Sequence, residues 1–154
     1  MAAELTARLE TSDPVMLCMM LGGMIPATKL LDRLGFMIEL DYVHATRYGD
    51  STRGGGLKWI RPPPTNLRDR VVVVVDDILD EGVTLAAVVQ ACVSAGVRSV
   101  HTAVLVDKQR QRVADVRVDV VGLTVPNRYV FGYGMDYRGY LRNADGIFAV
   151  EDHA

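Results

Sequence analysis

Val71 to Thr84 reads VVVVVDDILDEGVT, five consecutive valines followed by four carboxylates, Asp76, Asp77, Asp80 and Glu81, within six positions. β-Branched residues without polar alternation suit a strand buried on both faces, the habit of a parallel sheet covered by helices. Thr84 to Ala95 then sets Leu85, Val88, Val89 and Cys92 at helical spacing on one apolar stripe, and Gly96 supplies a stop. A strand passing through an acidic turn into an amphipathic helix is a βα unit, whose chemistry belongs beyond the carboxyl end of the strand.

Outward from this unit the same pattern repeats. Apolar runs at VMLCMM (15–20), SVHTAVLV (99–106) and VDVVGLTV (118–125), with IELDYVHA (38–45), read as further strands, and Ile25 to Leu34 reads as a second helix closed by Gly35. The fold class is α/β, a mostly parallel central sheet flanked by helices. RYGDSTRGGGLKWIR (47–61) is polar and Gly-rich, either a hairpin tip or a flexible lid; its length and three consecutive glycines favour a lid over about 47–58. RPPPTNLRDR (61–70) reads as an extended spacer. No repeat or linker divides the chain, so residues 1–154 are expected to form one domain.

Composition narrows the partner. The 154 residues carry 17 Lys and Arg against 19 Asp and Glu, a net charge of −2, with no basic run to mark a binder of nucleic acid or anionic membrane. The longest apolar stretch, Val15 to Leu21, falls short of the roughly 20 residues that span a bilayer. A cytoplasmic protein acting on a small molecule is the expectation. Cys18 and Cys92, the only cysteines, sit in apolar runs and read as buried reduced thiols.

The acidic turn itself admits two readings. A helix N-terminus with unpaired N–H groups is a ready phosphate site; Gly82 permits close approach and Thr84 adds a hydroxyl, while the acids could meet sugar hydroxyls, a hard cation such as Mg²⁺, or a proton in transit. A sugar phosphate fits all of these. Alternatively, Asp80 and Glu81 are ordinary first-turn helix acids and Asp76 and Asp77 a solvated turn. A response-regulator receiver would carry its acidic pair after the first strand, and a dinucleotide-binding fold requires a GxGxxG motif that is absent here.

VVVVVDDILDEGVTL resembles the phosphoribosyl pyrophosphate (PRPP) motif of type I phosphoribosyltransferases. VLVDKQRQR (104–112), DVVGLTVPNRYVFGYGMDYRGYLRN (119–143) and MLCMMLGGMIPATKLLDRLGF (16–36) are similar to the hypoxanthine-guanine branch of that family. The resemblance runs from about Asp13 onward and implies the family's fold with a small hood, transfer of a phosphoribosyl group from PRPP to N9 of a 6-oxopurine with release of pyrophosphate, Mg²⁺ as cofactor, and a homodimer or homotetramer. It implies that Asp76 and Asp77 bind the ribose hydroxyls and share the metal with Asp136. Asp80 would stand beside the purine N7 and take its proton as the base attacks the anomeric carbon. Glu81, Gly82, Val83 and Thr84 would surround the 5′-phosphate, although Glu81 stands where a small hydroxyl residue is common and Val83 where some members carry Lys. Lys108 would donate to the exocyclic O6; Tyr129, Val130 and Asp136 would frame the base; Arg112 and Arg142, with the backbone of Leu21 and Gly22, would meet pyrophosphate; a non-proline cis peptide is expected in that last loop. Tyr48, Ser51 and Thr52 would belong to the lid. Without the resemblance, Lys108 reads as a surface lysine in a basic loop with Arg110 and Arg112, Tyr129 as a half-buried strand aromatic and Asp136 as a turn acid. The N-terminal segment is short for the family. A PRPP-binding regulator without catalysis, a xanthine-preferring enzyme and a pyrimidine-using one are the rival functions.

Overall fold

The computed structural model describes residues 1–47 and 57–151. Six strands form the main sheet: β1 (Val15–Met20), β2 (Glu39–Arg47), β3 (Leu57–Arg61), β4 (Val71–Leu79), β5 (Ser99–Gln109) and β6 (Val120–Pro126). Their order is β3-β2-β1-β4-β5-β6, parallel throughout except for the antiparallel β2–β3 pair. Three helices cover it, α1 (Ala2–Leu9), α2 (Met24–Leu31) and α3 (Val83–Ser94). A separate two-stranded ribbon, β7 (Val130–Phe131) with β8 (Phe148–Ala149), forms a small hood.

The valine run explains the layering. Val71, Val73 and Val75 pack with Leu5 and Leu9 of α1 and Ala27 and Leu30 of α2, while Val72 and Val74 pack with Leu85, Val88 and Cys92 of α3 on the other face. Successive residues of a strand point to opposite faces, so a strand with a helical layer on each side must be apolar at every position. Burial of each such side chain contributes about 1.5–3 kcal/mol, which is why this strand can serve as the fixed centre of the molecule.

Several boundaries differ from the sequence reading. β4 does not stop at Val75: Asp76 and Asp77 continue the ladder, opposite β5 as far as Leu79, so the acids begin inside the strand and the turn is confined to residues 80–82. The second helix runs Met24–Leu31 and ends on Asp32 in a right-handed conformation, not at Gly35, which has open space around it. α1 lacks the caps and apolar run that announce a helix, and is held by Leu5 and Leu9, both fully buried. β3 begins inside the segment read as a lid and pairs antiparallel with β2; Tyr48, Ser51 and Thr52 of that segment lie outside the described residues. α3 closes as expected, with Gly96 at φ 79°. Among the described residues no helix is long and apolar enough to cross a membrane.

Candidate active site

Parallel pairing brings the carboxyl ends of β1, β4 and β5 to one edge of the sheet. Asp76 is level with Val104 and Leu79 with Asp107, so Asp80, just past the end of β4, comes beside Lys108 of β5. The Lys108 ammonium, largely buried, donates to Asp80 Oδ2 at 3.0 Å. Arg110 takes the other carboxylate oxygen, Nη1 to Oδ1 at 2.6 Å, and its Nη2 reaches Glu81 Oε1 at 3.4 Å. Partial burial pushes the Asp80 carboxyl up, but the bonds and charges of Lys108 and Arg110 outweigh it and hold it below its ordinary value.

Directly beyond lies the turn into α3. Gly82 adopts φ 81°, and a Cβ there would come within 2.9 Å of Val116 Cγ1 and 3.2 Å of the Ala114 carbonyl oxygen, so glycine is required both by the backbone and by the packing. No side-chain hydrogen bond caps the N-terminus of the helix at Gly82. The N–H groups of Val113 and Ala114 both donate to the Glu81 carbonyl and tie the loop after β5 to this turn. A cavity of about 440 Å³ opens here, its lining including Leu21, Gly22, Asp76, Asp77, Asp80, Glu81, Gly82, Thr84, Arg110, Asp136 and Arg142.

The two strand acids are strained electrostatically. Burial and then the neighbouring Asp77 charge drive the Asp76 carboxyl well above its usual value; burial also raises Asp77, against hydrogen bonds and the Arg142 charge 3.9 Å away. The Asp77 N–H donates to Asp76 Oδ1 at 2.9 Å and the Ile78 N–H to Asp77 Oδ1 at 2.8 Å. A polyvalent cation or sugar hydroxyls would relieve this pair. Among the described residues no three His, Cys, Asp or Glu are gathered as a metal cage; two adjacent carboxylates suit Mg²⁺, which commonly keeps waters and binds one or two carboxylates together with substrate phosphates. Asp136 is otherwise engaged, accepting from Arg142 at 2.7 Å and from the Gly139 N–H at 2.8 Å.

The remaining expected residues divide. Leu21 and Gly22 reach the cavity, and the peptide between Met20 and Leu21 is cis. Arg142 also reaches it, donating to the Gly134 carbonyl at 2.7 Å. Arg112 does not line the cavity: its guanidinium is bound to Asp107 and to the carbonyls of Leu79 and Asp80, beneath the turn. Lys108 and Tyr129 likewise do not line the cavity, although Lys108 bonds Asp80, which does. Tyr129 is half exposed, edge-on to Tyr137 with centroids 5.7 Å apart, and its hydroxyl donates to the Asp136 carbonyl. Val130 is buried against Val106 and Met135. Val83 begins α3 without lining the cavity. Sequence reasoning missed Arg110, treating it as part of a basic loop; the signal was its position two residues after Lys108 at a strand end, which puts both cations on the same side. Cys18 and Cys92 are free and buried, and burial, joined at Cys18 by the charges of Asp76 and Asp77, pushes each thiol up to about 11.

This architecture has close counterparts. Residues 1–138 match the phosphoribosyl transferase domain family. The chain is 36% identical over 153 residues to the hypoxanthine-guanine-xanthine phosphoribosyltransferase of Tritrichomonas foetus, covering 99% of this chain and 84% of that one. It is 31% identical over 144 residues to the hypoxanthine-guanine phosphoribosyltransferase of Bacillus subtilis, with 93% and 80% coverage. Its structure superposes on a hypoxanthine phosphoribosyltransferase from Staphylococcus aureus with a TM-score of 0.91 at 26% identity, over 97% of this chain and 82% of that one. A fold with its acids at the end of the central parallel strand, a glycine turn opening α3, and relatives of these kinds along nearly the whole chain make this protein a member of the phosphoribosyltransferase family.

Proposed function

We infer that the chain transfers the 5-phosphoribosyl group of PRPP to N9 of a 6-oxopurine, hypoxanthine and/or guanine, releasing pyrophosphate in purine salvage. The observation that carries this reading is the Asp80–Lys108 pair, 3.0 Å apart, joining the turn after β4 to the end of the neighbouring parallel strand β5, next to Gly82. An acid that can take a proton from the base and an ammonium that can donate to its O6 are what a 6-oxopurine requires and adenine does not, because the wrong base leaves a buried donor unpaired.

The residue roles belong to the same proposal. The 5′-phosphate sits on the first turn of α3, on backbone N–H groups and the Thr84 hydroxyl. Asp76 and Asp77 bind the ribose 2′- and 3′-hydroxyls and are the carboxylates that fit Mg²⁺. When bound, Mg²⁺ supplies positive charge to the departing pyrophosphate. Arg142 and the backbone of Leu21 and Gly22 face the pyrophosphate. Positive charge that grows at the anomeric carbon lies near Asp77 and Asp80. Asp80 is ionised and can accept the N7 proton once the base displaces its present partners; Lys108 then turns to O6. The hood, with Tyr129, Val130 and Asp136, covers the base, and the segment of about residues 47–58 is the candidate lid that keeps water from the anomeric carbon.

Hypoxanthine, guanine, xanthine, adenine and uracil, offered in parallel with PRPP and Mg²⁺ and followed by absorbance, test this. Turnover with hypoxanthine or guanine and none with adenine or uracil is expected; turnover with adenine alone would overturn it. Xanthine is included because the Tritrichomonas foetus relative, 36% identical, is named for it as well.

A further inference from the structure

The cavity carries an electrostatic problem that the proposed ligand makes acute. Among the described residues its lining holds five carboxylates, Asp76, Asp77, Asp80, Glu81 and Asp136, against two guanidinium groups, Arg110 and Arg142. PRPP is a polyanion. Glu81 is the worst placed of the five, since it immediately precedes Gly82 in the turn proposed to receive a phosphate, and the neighbouring Val83 brings no charge.

Arg110 answers this. Its two terminal nitrogens reach Asp80 and Glu81, its side chain lines the cavity, and its segment is tied to the turn by the Val113 and Ala114 N–H groups on the Glu81 carbonyl. A guanidinium has five donors in a planar fork, so it can stay bonded to one carboxylate while offering another edge to a phosphate. Arg142, the other arginine, is occupied at the far side by Asp136 and Gly134.

Resting on the phosphoribosyl reading above, we propose that Arg110 and Glu81 form a matched pair in which Arg110 is a cation of the phosphate turn: Glu81 anchors the guanidinium, which moves from Asp80 onto the 5′-phosphate. The same movement frees Asp80 Oδ1 for the base. Glu81 is then a positioning residue, acting through the guanidinium it holds.

Calorimetric titration of the whole protein with PRPP and, separately, with pyrophosphate, both in excess Mg²⁺, tests the pair without requiring turnover. Arg110→Gln is expected to weaken PRPP binding about tenfold or more, the scale of one lost charge-assisted hydrogen bond, and to leave pyrophosphate within about twofold. Arg110→Lys should recover part of the loss. Glu81→Gln alone should weaken PRPP binding, and adding it to Arg110→Gln should cost little further, because Glu81 acts through the guanidinium. PRPP affinity unchanged in Arg110→Gln, equal losses for PRPP and pyrophosphate, or strictly additive effects in the double variant would each overturn the proposal. A wild type that binds PRPP but converts no base would reject the enzymatic reading alone; one that binds no PRPP rejects both.

Discussion

Asp77 occupies the space that a side chain at Gly22 would need: a Cβ built on Gly22 would lie 1.8 Å from Asp77 Oδ2 and 2.2 Å from its Cγ. The loop after β1 and the acid at the end of β4 are therefore fitted to each other through the absence of one methyl group. Gly22→Ala must displace the carboxylate, since its neighbour Gly134 crowds the same loop, where a Cβ would meet the Gly22 carbonyl oxygen at 2.2 Å. The expected result is a loss of PRPP affinity of about tenfold or more, because small displacements of positioning groups are costly. Calorimetry with PRPP and Mg²⁺ measures it; wild-type affinity in a folded Gly22→Ala protein would refute the assignment of Asp77 to the ribose.

Asp80→Asn separates chemistry from binding. The amide keeps the size of the side chain and can still accept from Lys108, but it cannot hold a proton taken from the base. Steady-state kinetics should show kcat falling by about 10²–10⁴ while PRPP affinity changes little, the range a general base supplies. Losses of equal size in both would remove Asp80 from that role.

Acid tolerance follows from the same carboxylate. Its folded-state pKa is lowered, so the stability it contributes is present above the ordinary aspartate value of roughly 3.9 and is lost only as pH falls through the lower folded value. An acidic limb of kcat/KM due to Asp80 should accordingly lie below the usual carboxylate range, distinct from one due to Asp76 and Asp77, whose carboxyls are raised. Lys108→Met removes one of the two partners and should move that limb upward in a pH–rate profile, as well as weakening discrimination against adenine. An unmoved limb would mean that another group governs it.

The thiols give a prediction independent of the reaction. With both pushed up to about 11 by burial, Cys18 and Cys92 are almost wholly protonated at pH 8, where an exposed cysteine is substantially ionised. A colorimetric disulfide reagent should label them far more slowly than the same protein unfolded in guanidinium chloride; rapid labelling of the native protein would contradict the packing described for α3 and β1.

The parallel sheet was legible in the sequence because burial on two faces leaves an unmistakable trace, above all in Val71–Val75, and the helix after it because a stripe and a stop coincide in Leu85–Gly96. α1 was not, since two buried leucines in eight residues make no pattern without the sheet they rest on. β3 was masked by the glycines beside it; only its partner strand turns LKWIR into a ladder. The acids looked like a turn because carboxylates are rare in central strands, and Asp76 and Asp77 violate that rule at the electrostatic cost seen in their raised pKa values. Arg110 and Glu81 lie 29 positions apart, and nothing in either neighbourhood announces the other. Arg112, three-dimensionally, is turned under the loop toward Asp107, a partner that strand direction and not residue type selects.

The level placement of Leu79 with Asp107 makes the facing pair of Asp80 and Lys108 a matter of chain length as much as of residue choice. Each strand residue advances about 3.3 Å and reverses its face, so one residue inserted or deleted between Val75 and Asp80 would carry the acid past its lysine and turn it toward the opposite layer. Valines in the run can be exchanged for isoleucine with repacking as the main consequence, whereas the count of residues that follows them tolerates no change. Variation in this stretch should therefore take the form of substitution and never of insertion, and a designer grafting the strand into another sheet must preserve its spelling from Val75 to Lys108 as a measured distance.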